Sequence, residues 1–528
     1  MKRRSLLAGS AAGIATLAAP RIGSGQGLKI VKFVPQADLA LLDPVQTTAS
    51  VTRNHGYLVF DTLYGMDENL QPQPQMVDGH NTADDGKTWE LTLREGLKFH
   101  DGEPVRATDV VASIRRWSVP DPLGSMLMAQ TDELAAPTDR VIRFRLKKSF
   151  PLLPQILGKI QPTMLCIMPE RLAKTDPSVQ VTEMVGSGPF RFLAAERVSG
   201  ARAVYEKFTG YVPRPSGVPG LTSGPKIVNI DRVEWQTIPD PATAAAALLS
   251  GSVDWWERPN YDLLPMLRKN PNITAFLNDR TGEFAYLRLN HLQPPFDNPA
   301  IRRALLGAID QTDMMLAVAG SDQTYWKAGV GVFPPGSPMA NDAGLEVLTA
   351  PRDYEKVKRD IVAAGYNGEK VALLVPTDVP DALACCQVAA DAFKKVGLNV
   401  DYQASDWGTV AQRRASKKSV QEGGWSCYII PASGLALVDP SVSLPLRGNG
   451  ANAPYGWPNS PRLEALRDAW MNAPDDATRK QIAREIQLQA WQDVPFIPLG
   501  QYFLPTVFRT TITGVLPGYT KFWNLKKA

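Results

Sequence analysis

The chain has 528 residues, with 57 Lys and Arg, 53 Asp and Glu, and 44% hydrophobic residues. That length exceeds what one hydrophobic core organises, so two or three domains are expected. Without the four basic residues of the first 25 positions, 53 basic residues face 53 acidic ones, a formal net of zero, which leaves no basic surplus to attract nucleic acid.

Residues 1–27 read as an export signal. Lys2, Arg3 and Arg4 form a basic start, and Leu6 to Ala19 is an apolar run of 14 residues, shorter than the roughly 20 a membrane-spanning helix needs. Arg3-Arg4-Ser5-Leu6-Leu7 has the look of a twin-arginine signal, with Lys2 where Ser or Thr is usual. An ordinary secretory signal is the other reading. The first cysteine is Cys166, so no lipidated cysteine follows the signal. The expected destination is the periplasm.

The segment from Asp84 to Arg116 is rich in signals. Trp89, Leu91 and Leu93 alternate with Glu90, Thr92 and Arg94, the period of a half-buried strand. Glu95-Gly96 turns the chain, and Leu97 and Phe99 suggest a second short strand. Thr108 is placed to cap a helix with Val110, Val111, Ile114 and Trp117 on its apolar face. Pro213 to Pro225 reads as an exposed loop. Asp240-Pro241 starts a helix that Gly251 ends, and Asn298-Pro299 starts another. Val371 to Val375, Pro380 to Val396 and Leu398 to Tyr402 read as strand, helix, strand, which predicts a parallel crossover in an α/β fold. Ser460-Pro461 and Asp475-Asp476 start two late helices.

Chemistry-bearing motifs are sparse. Four cysteines in 528 residues do not make a disulfide scaffold, and buried thiols are the expectation. Only His55, His80, His100 and His291 occur, with no HExxH and no Cys/His metal spacing, so no metal site and no cofactor are expected. No G-x-S-x-G elbow occurs, and Gly86-Lys87-Thr88 lacks the upstream glycine of a P-loop, since Asn81 stands there. The chain is therefore not expected to be an enzyme. An exported hydrolase stays open, because triads are spatial. So does a ligand-presenting module for a sensor or for metal or haem uptake.

The order of the motifs carries a resemblance. Leu42-Asp43-Pro44, Phe60-Asp61-Thr62-Leu63-Tyr64, the 84–116 segment, Val185-Gly186-Ser187-Gly188-Pro189-Phe190, Ala247 to Trp255, Leu287 to Asn290, Pro295-Phe296-Asp297, Ile301 to Leu305, Ala363 to Tyr366 and Asp493 to Leu499 follow one another. Together they resemble the extracellular solute-binding proteins, family 5, which serve peptide- and nickel-type ABC importers. The resemblance implies a two-lobed α/β periplasmic binding protein fold, type II and large (cluster-C-like), with a hinge and an extra inserted domain. The implied division is 28–58 with 186–285 and 498–528 for the first lobe, 59–185 for the inserted domain, and 286–497 for the second lobe. A monomer is implied that traps a small-molecule solute and delivers it to a membrane permease, whose ATPase is another chain.

The resemblance also points to ligand residues. Peptide-binding members have tryptophans near Trp407 and Trp425, and an Asp three residues after the second that pairs with the peptide amine. Tyr428 stands there in this chain. A phenol is neutral below a pH of about 10 and forms no such ion pair. Asp439 is a possible substitute, although Asp439-Pro440 recurs as a turn. Arg414 is placed to hold a carboxylate, or is one of a solvated pair with Arg413. Ser50 and Thr52 lie in a first-lobe segment that faces ligand.

Overall fold

The computed structural model describes residues 28–161 and 163–528. The export signal expected at 1–27 lies outside the described residues. Two large mixed sheets organise the molecule. The first has seven strands in the order Ile273–Phe276, Thr506–Arg509, Trp255–Trp256, Ile30–Val34, Arg232–Gln236, Arg202–Lys207 and Phe190–Phe192. The second has six, in the order Trp326–Lys327, Phe496–Tyr502, Glu283–Leu289, Cys427–Ser433, Lys370–Pro376 and Asn399–Ser405. The chain passes between them after Phe276 and again after Tyr502. The two lobes and their hinge follow from this.

The crossover read from sequence is present. Lys370–Pro376 runs parallel to Asn399–Ser405, with the helix Pro380–Lys395 between them. Ala382, Cys385, Cys386, Ala389 and Phe393 are its buried face. The sheet as a whole is not parallel: Cys427–Ser433, Glu283–Leu289 and Phe496–Tyr502 pair antiparallel. All four cysteines are free and buried.

A third sheet, antiparallel, runs Val77–Ala83, Thr88–Leu93, Val141–Leu146, Thr131–Ala135. Trp89, Leu91 and Leu93 are buried, as the alternation predicts, beneath the helix Ala107–Trp117 with Val110, Val111, Ile114 and Trp117 inward. Two local expectations fail here. Thr108 does not cap that helix: Arg106 is the cap, and its N–H donates to Oδ2 of Asp109 at 2.7 Å. Leu97 and Phe99 form no strand. Their backbone closes on the same loop, through Phe99 N–H to Glu103 O and Val105 N–H to Leu97 O, and only one bridge results. The loop 213–225 is exposed only in its first half, because Thr222 Oγ1 accepts from Met66 N–H and draws 220–224 inward.

The signature motifs tie the third sheet's unit to the first sheet. Asp43 forms a bidentate pair with Arg116 (2.6 and 3.3 Å) and accepts from Val181 N–H, all fully buried. Asp61 accepts from Lys226 Nζ (2.6 Å) and Tyr211 OH (2.7 Å). Burial pushes its carboxyl up, but the Lys226 charge and these bonds outweigh that and hold it below the usual range. Gly188 packs on backbone: a Cβ there would sit 2.6 Å from the carbonyl carbon of Val59. Gly186 meets the Val59 carbonyl oxygen and the Phe60 ring in the same way.

Candidate functional site

Strand Cys427–Ser433 sits in the middle of the second sheet, between Glu283–Leu289 and Lys370–Pro376. Tyr428 is paired with Arg288 on one side and Leu374 on the other. Side chains on one face of a strand recur every second residue, so Tyr428 and Ile430 share a face. Over that face lie Leu374, Val410, Trp425 and Trp457, with Trp407 against them.

Arg414 is the centre of this cluster. It follows the helix Trp407–Arg413, and a spacing of seven residues, close to two turns, brings it above Trp407. Its guanidinium lies 4.8 Å from the Trp407 ring, 5.1 Å from Tyr455 and 5.9 Å from Tyr428. Among the described residues no carboxylate pairs with Arg414, and its buried Nε has no hydrogen-bond partner. The neighbouring acids are engaged: Asp406 caps the helix through Thr409, and Asp378 accepts from Trp407 N–H. Lys417 lies over Trp457 at 5.3 Å. A cation above aromatic faces is attracted by the ring quadrupoles but keeps its N–H donors for an acceptor.

The other expected residues divide. Trp425 is fully buried; Tyr428 (5.2 Å) and Trp457 (6.0 Å) flank its ring, and its Nε1–H donates to Ser416 O. It therefore backs the cluster. Asp439 lies elsewhere: its Oδ1 accepts from Ser441 N–H, Ser441 Oγ–H and Val442 N–H in a local turn. Burial pushes its carboxyl up. The Thr52 hydroxyl donates to Leu41 O inside the first lobe. Ser50 lines a crevice at the hinge with Arg53, Glu257, Arg258, Glu283 and Tyr519. There Arg258 and Glu283 pair at 3.0 Å across the passage between the sheets. Five strand steps separate Tyr428 from Ser433 at that crevice, a span of about 17 Å.

Two further residues take part. Tyr455, 40% exposed, supplies the third ring around Arg414. Arg288, buried, fixes that ring's segment by donating to the carbonyls of Tyr455 (2.7 Å), Pro445 (2.8 Å), Pro495 (2.9 Å) and Pro454 (3.3 Å). No local pattern announces either, because the carbonyls that Arg288 binds lie over 150 residues away and Tyr455 meets Arg414 from a separate segment. Burial pushes the Tyr428 phenol above its ordinary value, although Arg288 and Arg414 pull the other way, so it stays neutral.

Among the described residues no helix is long and apolar enough to cross a membrane. A probable peptide ABC transporter periplasmic-binding protein of Sinorhizobium fredii is 37% identical over 100% of both chains. A glutathione-binding protein of Pectobacterium atrosepticum is 26% identical over 90% of this chain and 88% of its own. Two solved structures share the fold. AgaA of A. tumefaciens R10, in complex with agropinic acid, has a TM-score of 0.75 at 20% identity, covering 95% of this chain and 99% of that one. The dipeptide binding protein of Pseudoalteromonas sp. SM9913, in complex with Met-Leu, has 0.77 at 19% identity, covering 95% and 100%. The family model for bacterial extracellular solute-binding proteins, family 5, matches residues 71–453, and the chain belongs to that family.

Proposed function

We propose that the protein is a monomeric periplasmic component of an ABC importer that closes its lobes on an acidic solute, with Arg414 as the reader of its carboxylate. It performs no chemistry; closure signals a permease whose ATPase is a separate chain. The supporting observation is the Arg414 guanidinium, held over Trp407, Tyr428 and Tyr455 with no acid paired to it among the described residues. A solute carboxylate supplies the absent acceptor as a charge-assisted pair. The rings give flat walls to its apolar part. Trp425 supports the wall from behind, and Ser50 faces the solute from the first lobe at the hinge end. The lobe division is 28–58, 186–285 and 498–528 against 286–497, with 59–185 inserted; strand membership moves two of its edges, because Glu283–Leu289 and Phe496–Tyr502 both lie wholly in the second sheet. Export by the twin-arginine route belongs to the same proposal.

A peptide-like solute is the second reading. The relative in Sinorhizobium fredii carries a peptide-transport name, and a peptide also ends in a carboxylate. Against it stands the neutral Tyr428 where an amine would need an acid. Native mass spectrometry of the purified protein, followed by denaturing identification of the bound molecule, decides. An acid without a free amine is the expected result. A bound peptide overturns the solute assignment.

A further inference from the structure

The unit built on the third sheet is fastened to the first lobe by buried pairs, Arg116–Asp43 and Lys226–Asp61, and by Arg94 Nη2–H to Val212 O. Toward the second lobe its polar contacts, among the described residues, are thin: Gln161 Nε2–H to Leu435 O at 2.7 Å, and Lys148 to Asp468 at 4.0 Å. A hinge motion of the lobes therefore carries this unit with the first lobe. It opens and shuts the seam where the unit meets the second lobe.

That seam holds a cavity of about 90 Å³. One wall is apolar side chains of the inserted unit, among them Leu123, Leu152 and Ile156; the other is second-lobe side chains, among them Met339, Val442 and Trp470. Neither Arg414 nor any ring around it lines the cavity. Five charged groups do. Lys159 is paired with Asp121 at 2.5 Å, and Asp439 is engaged by Ser441 and Val442. Asp476 pairs with Arg479 Nη1 at 3.0 Å, and Lys480 is exposed at the mouth. Arg479 is the buried group with a donor to spare among the described residues. Its side chain is 11% exposed and lies over Trp470 at 5.9 Å, its Nη2–H donates to Ala473 O, and its buried Nε has no partner.

We propose that this seam is a second ligand site, for a small apolar carboxylic acid whose chain fills the space between the two walls and whose carboxylate accepts from Arg479. An unpaired buried donor costs free energy that an incoming acceptor recovers, and the apolar walls favour a hydrocarbon body. The occupant touches both walls only when the lobes are closed. It must therefore favour closure and raise solute affinity in the cleft by the same factor by which solute raises its own. This coupling rests on the hinge-closure reading above; the site itself does not.

Butyrate is the probe, with 1-butanol as its uncharged counterpart, titrated by calorimetry into the full chain. Wild type is expected to bind butyrate one to one. Arg479→Gln should weaken butyrate about tenfold, the loss of one charged hydrogen bond, and leave butanol little changed. Val442→Trp should abolish both, and Arg414→Gln should leave butyrate unaffected. Butyrate should also lower the radius of gyration in small-angle scattering. No butyrate binding by wild type, or equal binding by Arg479→Gln, overturns the site. Loss in Arg414→Gln instead places the acid in the aromatic cluster, which overturns this proposal and supports the cleft reading. Binding without compaction overturns the coupling.

Discussion

Removing the Asp61 carboxylate should be among the most damaging single changes in the chain. Lys226 Nζ lies 2.6 Å from Oδ1, and neither side chain is more than 1% exposed. Tyr211 OH donates to the same carboxylate at 2.7 Å, and Thr62 N–H at 2.9 Å. In Asp61→Ala the ammonium stays buried without its carboxylate, with the Trp523 ring 4.8 Å away. Breaking one side of a buried pair costs about 3–5 kcal/mol, because the remaining charge is uncompensated. The joint change Asp61→Leu with Lys226→Met removes both charges and should cost only about 1–2 kcal/mol. Urea unfolding at pH 7, followed by tryptophan fluorescence and circular dichroism, gives both numbers and the coupling between them. The carboxyl is held below its ordinary value in the folded protein, so its contribution is present at neutral pH. It should be lost as pH falls through that depressed value. A single variant costing under about 1 kcal/mol, or a double variant costing the sum of two singles, refutes the argument that this pair fastens the inserted unit.

The remaining expectations are narrower. Arg414→Gln should weaken an acidic solute by about 10- to 100-fold, one charge-assisted bond, and leave an uncharged analogue unchanged; equal loss for both sinks the carboxylate assignment. Burial pushes His55 down to about 3 and His100 down to about 4. The unfolded chain binds protons first as pH drops below about 6.5, so each histidine should remove about 1.4 kcal/mol of stability per pH unit between pH 6 and 5. His100→Gln should flatten that slope by one such increment in urea titrations, and an unchanged slope contradicts it. Gly188→Ala forces a Cβ against the Val59 backbone and should cost about 3 kcal/mol or more; a variant melting like wild type would show that the turn yields. All four thiols are buried, so a disulfide reagent should label the native protein only after urea is added, and rapid native labelling refutes that packing.

Legibility followed range. Asp240 and Gly251 bound the helix Pro241–Ser250 as read, because a cap bonds within three residues and a positive φ of 81° favours glycine at its end. Thr108 misled because Asp109, one position on, reaches back to the Arg106 N–H and starts the helix earlier. The parallel pair of Lys370–Pro376 was legible, while the antiparallel character of its sheet was not, since Glu283–Leu289 meets Cys427–Ser433 across more than 130 residues. The candidate site divides in the same way. Trp407 and Arg414 share a helix face, and Tyr428 was singled out by what it replaces. Tyr455 completes the ring set only because Arg288 binds the carbonyls of its segment. Asp439 shows the converse. A carboxylate close in sequence to the cluster spends its oxygen on Ser441 and Val442 and faces the seam with the inserted unit. The charge balance of the cluster therefore comes from side chains turned away as much as from those turned in. With Asp378, Asp406 and Asp439 all committed to backbone or hydroxyl donors, none of the three carboxylates is left for Arg414, and under the proposed function a solute carboxylate takes that place.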